Sequence, residues 1–207
     1  MSPLHTCTLP ERLETARLFL RPYRDDDAPW YFAAAQRNRV HLAQHEANNP
    51  LFDIFCEADA TNVLRGFQRH WRERTAFPLG VFLRGTEEFV GQIYLGTTDA
   101  ALPSFNLGFL ADCVHVNHGY LTEAARAALA FAFNELGAQR VGLWCDETNL
   151  RSQRIAERCG FVRESHIRED KRHPDGTMTG SYGYGLLRRE YTGLPAAPTS
   201  TPEPSAG

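Results

Sequence analysis

The segment that most restricts this chain runs from Gly108 to Gly119, Gly-Phe-Leu-Ala-Asp-Cys-Val-His-Val-Asn-His-Gly, and continues into Tyr-Leu-Thr-Glu-Ala-Ala. Its first half reads as a strand and its second half as a tight loop. The helix that follows has the most regular pattern in the sequence. Leu121, Ala124, Ala125, Ala128, Leu129, Ala132, Phe133 and Leu136 keep an i, i+3, i+4 rhythm, and Gly137 stands where a glycine closes a helix. A strand feeding a helix through a glycine loop leaves free backbone amides at the helix entrance, where the helix dipole also favours negative charge. Such a unit is a phosphate site made by backbone, and it requires a sheet with a helix packed on it.

The rest of the chain supplies the other layers. Leu13 to Arg21 reads as a strand stopped by Pro22, and Asp25 to Asp27 cap a helix through Trp30, Tyr31, Phe32 and Ala35. Residues 38–58 read as irregular. From Asp59 a helix carries Val63, Leu64, Phe67 and Trp71 on one side and turns Arg65, Arg69, Arg72 and Arg74 to water. Leu79 to Leu83 and Glu88 to Leu95 form a hairpin, and Ser104 to Leu110 and Arg140 to Cys145 are further strands. Leu150 to Arg158 is a short helix with Asn149 at its N-cap and Gly160 at its end. Phe161-Val162 and Tyr182 to Leu187 close the sheet. Residues 1–12 are a loose lead-in and 13–191 one domain, while 192–207, with four prolines, is a disordered tail.

Bulk properties exclude several classes. With 207 residues, 43% of them hydrophobic, the chain can bury one sizeable core. No stretch approaches the roughly 20 apolar residues that cross a bilayer, and the N-terminus lacks the regions of a signal peptide. Five cysteines, an odd number without a Cys-x-x-Cys pair, argue against a disulfide framework or structural zinc, so a reducing cytoplasm is expected and no metal. A net charge of −3 speaks against a broad electrostatic grip on nucleic acid. Lys171 is the single lysine among 22 lysines and arginines, which reads as the bias of a GC-rich bacterial genome.

A second segment, Trp144-Cys-Asp-Glu-Thr-Asn149-Leu-Arg-Ser152 through Gly160-Phe161, completes a pattern. Gly108-Phe109-Leu110, Gly119 and Thr122-Glu123-Ala124 fall where the GNAT acyltransferases place their glycine–aromatic strand, loop glycine and helix start. Asn149, Ser152 and Gly160-Phe161 match the Asn-x-x-Ser and Gly-Phe of the RimJ/RimL type. Leu18-Phe-Leu-Arg21-Pro22 and Asn38-Arg39 match its opening strand and first helix. Over residues 13–191 the chain therefore resembles a divergent RimJ/RimL-type GNAT enzyme.

The resemblance implies the GNAT fold: an α+β (α/β/α) sandwich whose splayed, mixed, mostly antiparallel sheet of about seven strands carries helices on both faces. It implies transfer of an acyl group, acetyl from acetyl-CoA, to a primary amine on a protein N-terminus or a small molecule, by direct attack in a monomer or homodimer. The cofactor would enter where the Leu110 strand parts from the Val141 strand. Leu110 and Ala111 would pair with the pantetheine amides, and Asn117, His118, Gly119, Tyr120, Leu121 and Thr122 would cradle the pyrophosphate. Asn149 would touch pantetheine, cap its helix, or do both.

Several positions depart from the family pattern. Val116 replaces the Arg or Gln that opens the loop and Leu121 the small residue that ends it, Asn106 replaces an acid near the strand glycine, and Gly180 replaces an aspartate near the C-terminal strand. An activated thioester needs an amine held in line, a proton removed from that amine, and a leaving thiolate stabilised. The tyrosine that serves the thiolate in relatives is Ala156 here, so Ser152 is the candidate hydroxyl donor, against an ordinary helix-terminal serine. His41, His45 and Glu46 are candidate bases, with water as the alternative. His115 and His118 read as a solvated loop. The basic patch of Arg163, Arg168, Lys171, Arg172 and His173 could meet an acidic substrate or a tRNA-like partner. Two other readings keep the fold: a degenerate module that binds CoA or a protein without turnover, and an enzyme using a different acyl thioester.

Overall fold

A computed structural model describes residues 3–43, 49–173 and 175–193. Among these, eight strands form one sheet in the order β1-β2-β3-β4-β5-β6-β8-β7. They are β1 (Leu13–Glu14), β2 (Leu18–Arg21), β3 (Ala76–Leu83), β4 (Phe89–Asp99), β5 (Ser104–Ala111), β6 (Arg140–Asp146), β7 (Val162–Arg172) and β8 (Met178–Leu187). Every neighbouring pair is antiparallel except β5 and β6. Helices α1 (Pro3–Thr6), α2 (Ala28–Ala43), α3 (Glu57–Glu73), α4 (Tyr120–Ala130) and α5 (Leu150–Arg158) complete the described chain. This is the GNAT fold, with eight strands where about seven were expected.

Strand alternation sorts the side chains of β5 between two cores. Phe105 and Leu107 join the larger cluster with Leu121, Ala125 and Leu129 of α4. Leu110 joins a second cluster with Tyr31 of α2 and Leu64 and Phe67 of α3. Burying side chains of this size contributes about 1.5–3 kcal/mol each, so β5 is clamped from both sides where the cleft opens.

Several expectations change in detail. The single strand expected over Leu13 to Arg21 is two short strands, because the backbone N–H and the hydroxyl of Thr15 both donate to the Leu18 carbonyl (2.9 and 3.1 Å) and turn the chain. α2 continues to Ala43, into the stretch read as irregular. The long helix is α-helical only to Ala130 and ends in a π-turn over Phe131–Glu135, which lets the consecutive residues Phe131, Ala132 and Phe133 all be buried. The lead-in is anchored rather than loose, since Leu4 is fully buried and the Arg74 guanidinium donates to the carbonyls of Leu4 and Cys7. Arg74 is thus partly buried, while Arg65, Arg69 and Arg72 face water as expected. The stretch 194–207 lies outside the described residues.

Candidate active site

β5 and β6 pair only through Ser104–Asn106 and Arg140–Gly142. Beyond those residues they part, which is the opening expected between the Leu110 and Val141 strands. Two clefts lie there. The first, of about 540 Å3, is lined by Ala111, Val116, Asn117, Gly119, Tyr120, Leu121 and Thr122, together with one side of α5. The second, of about 420 Å3, is lined by Gln92, Tyr94, Leu110, Trp144, Asp146 and Lys171. Phe109, Asn149 and Ser152 line both clefts, so the two meet at the start of α5.

The first cleft is built around the loop ahead of α4. Asn117 (φ 68°) and Gly119 (φ 76°) are both left-handed, a conformation that glycine adopts without penalty and asparagine tolerates. The amides of Tyr120, Leu121 and Thr122 in the first turn have no intrahelical acceptor by position. A clamp from the turn between β1 and β2 holds the loop. The Arg17 guanidinium donates to the His118 carbonyl (3.1 Å) and, through Nε, to Glu123 (2.7 Å), and it lies 4.8 Å over the Tyr120 ring. Glu123 also accepts from the Thr15 hydroxyl (2.7 Å) and the Arg17 amide (3.0 Å). Burial works to raise the Glu123 pKa, but these donors outweigh it and hold the carboxyl below its usual range.

α5 supplies the wall where the clefts meet. The Asn149 side chain accepts from the Ser152 amide at 3.1 Å, so the expected N-cap is present, and Gly160 (φ 85°) stands just past the end of the helix. Arg151, Arg154 and Arg158 are exposed and line the first cleft. Their i, i+3, i+7 spacing is a signal that the sequence carries, and it places three cations beside the loop ahead of α4.

The other candidates are dispersed. Leu110 lines the second cleft rather than the first. His118 lines neither; its exposed ring stacks on Tyr120 at 5.4 Å. His41, expected on the acceptor wall, lines the first cleft, as does His115, whose ring nitrogen is 3.0 Å from Glu88. His45 and Glu46 lie outside the described residues. Asn106 is exposed beside Gly142 and lines neither cleft. Ala156 is fully buried. At Gly180 a β-carbon would sit 2.9 Å from the Glu147 carboxylate, which accepts from the Gly180 amide at 2.6 Å. Glu147 is paired with His166 at 2.5 Å, and the Ile167 carbonyl and His166 ring crowd a β-carbon at 180 more closely still, so this backbone has no room for an aspartate there.

Two further groups line the second cleft: Asp146, which the sequence reading missed, and Cys145, which reads in the sequence as a strand-end residue rather than a nucleophile. Asp146 is 2% exposed and accepts from the Thr148 amide (2.8 Å) and from the hydroxyls of Thr148 and Thr179 (2.6 Å each). Burial raises its pKa, these donors outweigh that, and the carboxyl stays ionised and occupied. Burial pushes the Cys145 thiol up to about 11, which leaves it protonated and a poor nucleophile at neutral pH.

Comparison with known proteins gives a consistent result. Residues 17–162 match the acetyltransferase (GNAT) domain family. The uncharacterized N-acetyltransferase YoaA of Bacillus subtilis (strain 168) is 24% identical over 85% of this chain and 96% of its own length. Among solved structures, the RimL ribosomal L7/L12 alpha-N-protein acetyltransferase in complex with coenzyme A superposes with a TM-score of 0.78 at 15% identity, covering 86% of this chain and 98% of that one. Mycobacterium smegmatis RimJ, in complex with CoA-disulfide, gives 0.75 at 22% identity, covering 84% of each chain.

Proposed function

The chain belongs to the GNAT acetyltransferase domain family, whose members use acetyl-CoA, and we propose that it transfers the acetyl group directly to a primary amine, with the donor in the first cleft and the acceptor in the second. The acyltransferase unit spans residues 13–191. The observation that carries this reading is the junction: Asn149 and Ser152 line both clefts, where a thioester from one side and an amine from the other would meet.

In this reading the pyrophosphate lies against the amides of Tyr120 to Thr122, with the arginines of α5 neutralising it. Ala111, with Phe109 at the junction, offers the β5 edge to pantetheine, while Leu110 belongs to the acceptor side. The amine lone pair forms the C–N bond as the C–S bond breaks; its proton leaves to water, and the Ser152 hydroxyl donates to the departing sulfur. Proximity supplies most of the acceleration. The transfer is direct in this reading: of the five cysteines only Cys145 lines either cleft, and burial pushes its thiol up to about 11. All five cysteines are free, which supports a reducing cytoplasmic setting, and no described helix is long and apolar enough to cross a membrane. A protein N-terminus is one acceptor this reading admits, supported by the RimL and RimJ superpositions; a small-molecule amine is the other.

A thiol-release assay with an amine panel tests the reading. Amine-dependent release with an N-acetylated product is expected. CoA binding without amine-dependent release, across the panel, would leave a binding module in place of an enzyme.

A further inference from the structure

Two strong hydrogen-bond donors, Gln92 and Lys171, line the second cleft. Gln92 is 5% exposed, and its side-chain oxygen already accepts from the hydroxyls of Tyr23 (2.7 Å) and Tyr31 (2.9 Å). Burial holds both phenols far above their usual pKa, so they remain donors and fix the carboxamide orientation. The Gln92 amide nitrogen donates to no described residue, and it is open to the cleft that the side chain lines. Lys171, the single lysine of the chain, is partly buried on the same wall and forms no ion pair among the described residues. The one buried carboxylate nearby, Asp146, is taken by Thr148 and Thr179. Around these groups stand Phe67, Tyr94, Phe109 and Trp144.

The Lys171 charge already helps to keep Asp146 ionised, but its ammonium and the cleft-facing Gln92 amide have no direct hydrogen-bond acceptor among the described residues, and a ligand that supplies acceptors would gain from both. An ammonium group with no acceptor of its own would satisfy neither, and would be repelled by Lys171. We propose that the acceptor carries a carboxylate alongside its amine, and that the Lys171 ammonium and the Gln92 amide hold that carboxylate in the second cleft. This rests on the second cleft being the acceptor side. The carboxylate can belong to a free amino acid or to an acidic side chain near a peptide N-terminus; both present the same oxygens.

Calorimetric titration separates these sources. L-phenylalanine against its carboxamide reads the first, and the capped peptides Ser-Asp-amide against Ser-Asn-amide read the second. Each is titrated into the full chain, with and without saturating CoA, so neither turnover nor donor binding is needed. The carboxylate member of at least one pair should bind about tenfold or more tighter than its neutral partner. Lys171→Gln should erase that preference while leaving the neutral member unchanged. Gln92→Glu should reverse it. Equal affinity within both pairs, no binding by any member, or a Lys171→Gln loss shared equally by both members would overturn the proposal. Failure of the acyltransferase reading shows elsewhere, in absent thiol release or absent CoA binding, and leaves these titrations intact.

Discussion

The two clefts are built on opposite plans. The proposed donor side is made from consecutive residues: a strand end, a loop with two left-handed positions and the first turn of α4. It offers backbone amides, and side chains such as Arg17 and Glu123 hold the loop from behind. The acceptor side is made from side chains on strands far apart in sequence, with Gln92 on β4, Asp146 on β6 and Lys171 on β7. Backbone recognition tolerates sequence change wherever the turn survives, whereas side-chain recognition changes with each substitution. A loop that has Val116 in place of a polar residue can therefore keep its donor.

The largest test of that contrast is Gly119→Val. The nearest atom to a β-carbon there is an Arg17 nitrogen at 3.7 Å, so the chain has room to fold. The left-handed φ would cost roughly 1–2 kcal/mol, and the branched side chain would stand where phosphate must approach. CoA binding by a folded Gly119→Val protein should fall below detection, as read by calorimetry. Ser152→Ala at the junction should lower kcat by about 10- to 1000-fold while donor affinity changes little, because the hydroxyl acts as charge develops on sulfur. A serine that only closes a helix would leave kcat near normal.

Smaller effects are expected behind the loop. Arg17→Ala should weaken CoA binding roughly fivefold, the scale of one half-exposed charged contact, and leave acceptor affinity unchanged. Because the Glu123 pKa is depressed, the clamp is intact above the unperturbed value of about 4.3 and is lost as pH falls through the lower folded value. Donor affinity should accordingly hold at neutral and mildly acidic pH and drop only in strong acid, a drop that Glu123→Gln should blunt. Asn149→Ala gives the smallest change, about 1 kcal/mol of stability from the lost cap, with weaker donor binding if the amide also touches pantetheine.

The same contrast explains what the sequence revealed. The donor side was legible because its signals are local: the 3.6-residue rhythm of α4, the Gly119 loop and the Asn149 cap all lie within short windows. The acceptor side needs the pairing of β6, β8 and β7, which no local pattern encodes. β7 itself went unread beyond Val162 because it is an edge strand exposed over almost all its length, so charged residues occupy both faces and no alternation appears. The register shift between Ile167 and Lys171 further hid which side Lys171 would take. α2 was cut short for a related reason: its end, Arg37 to Ala43, mixes buried Asn38 and Leu42 with exposed Val40 and shows no clean apolar stripe. Arg17 and Glu123, 106 positions apart, could not be paired by inspection.

The account turns on one arrangement, a backbone-built donor cleft meeting a side-chain-built acceptor cleft at Ser152. A crystal structure of the CoA complex measures it directly. The pyrophosphate should lie against the amides of Tyr120 to Thr122, with the thiol reaching the junction within hydrogen-bonding distance of the Ser152 hydroxyl. CoA bound away from this loop, or a thiol directed away from the second cleft, would contradict the account.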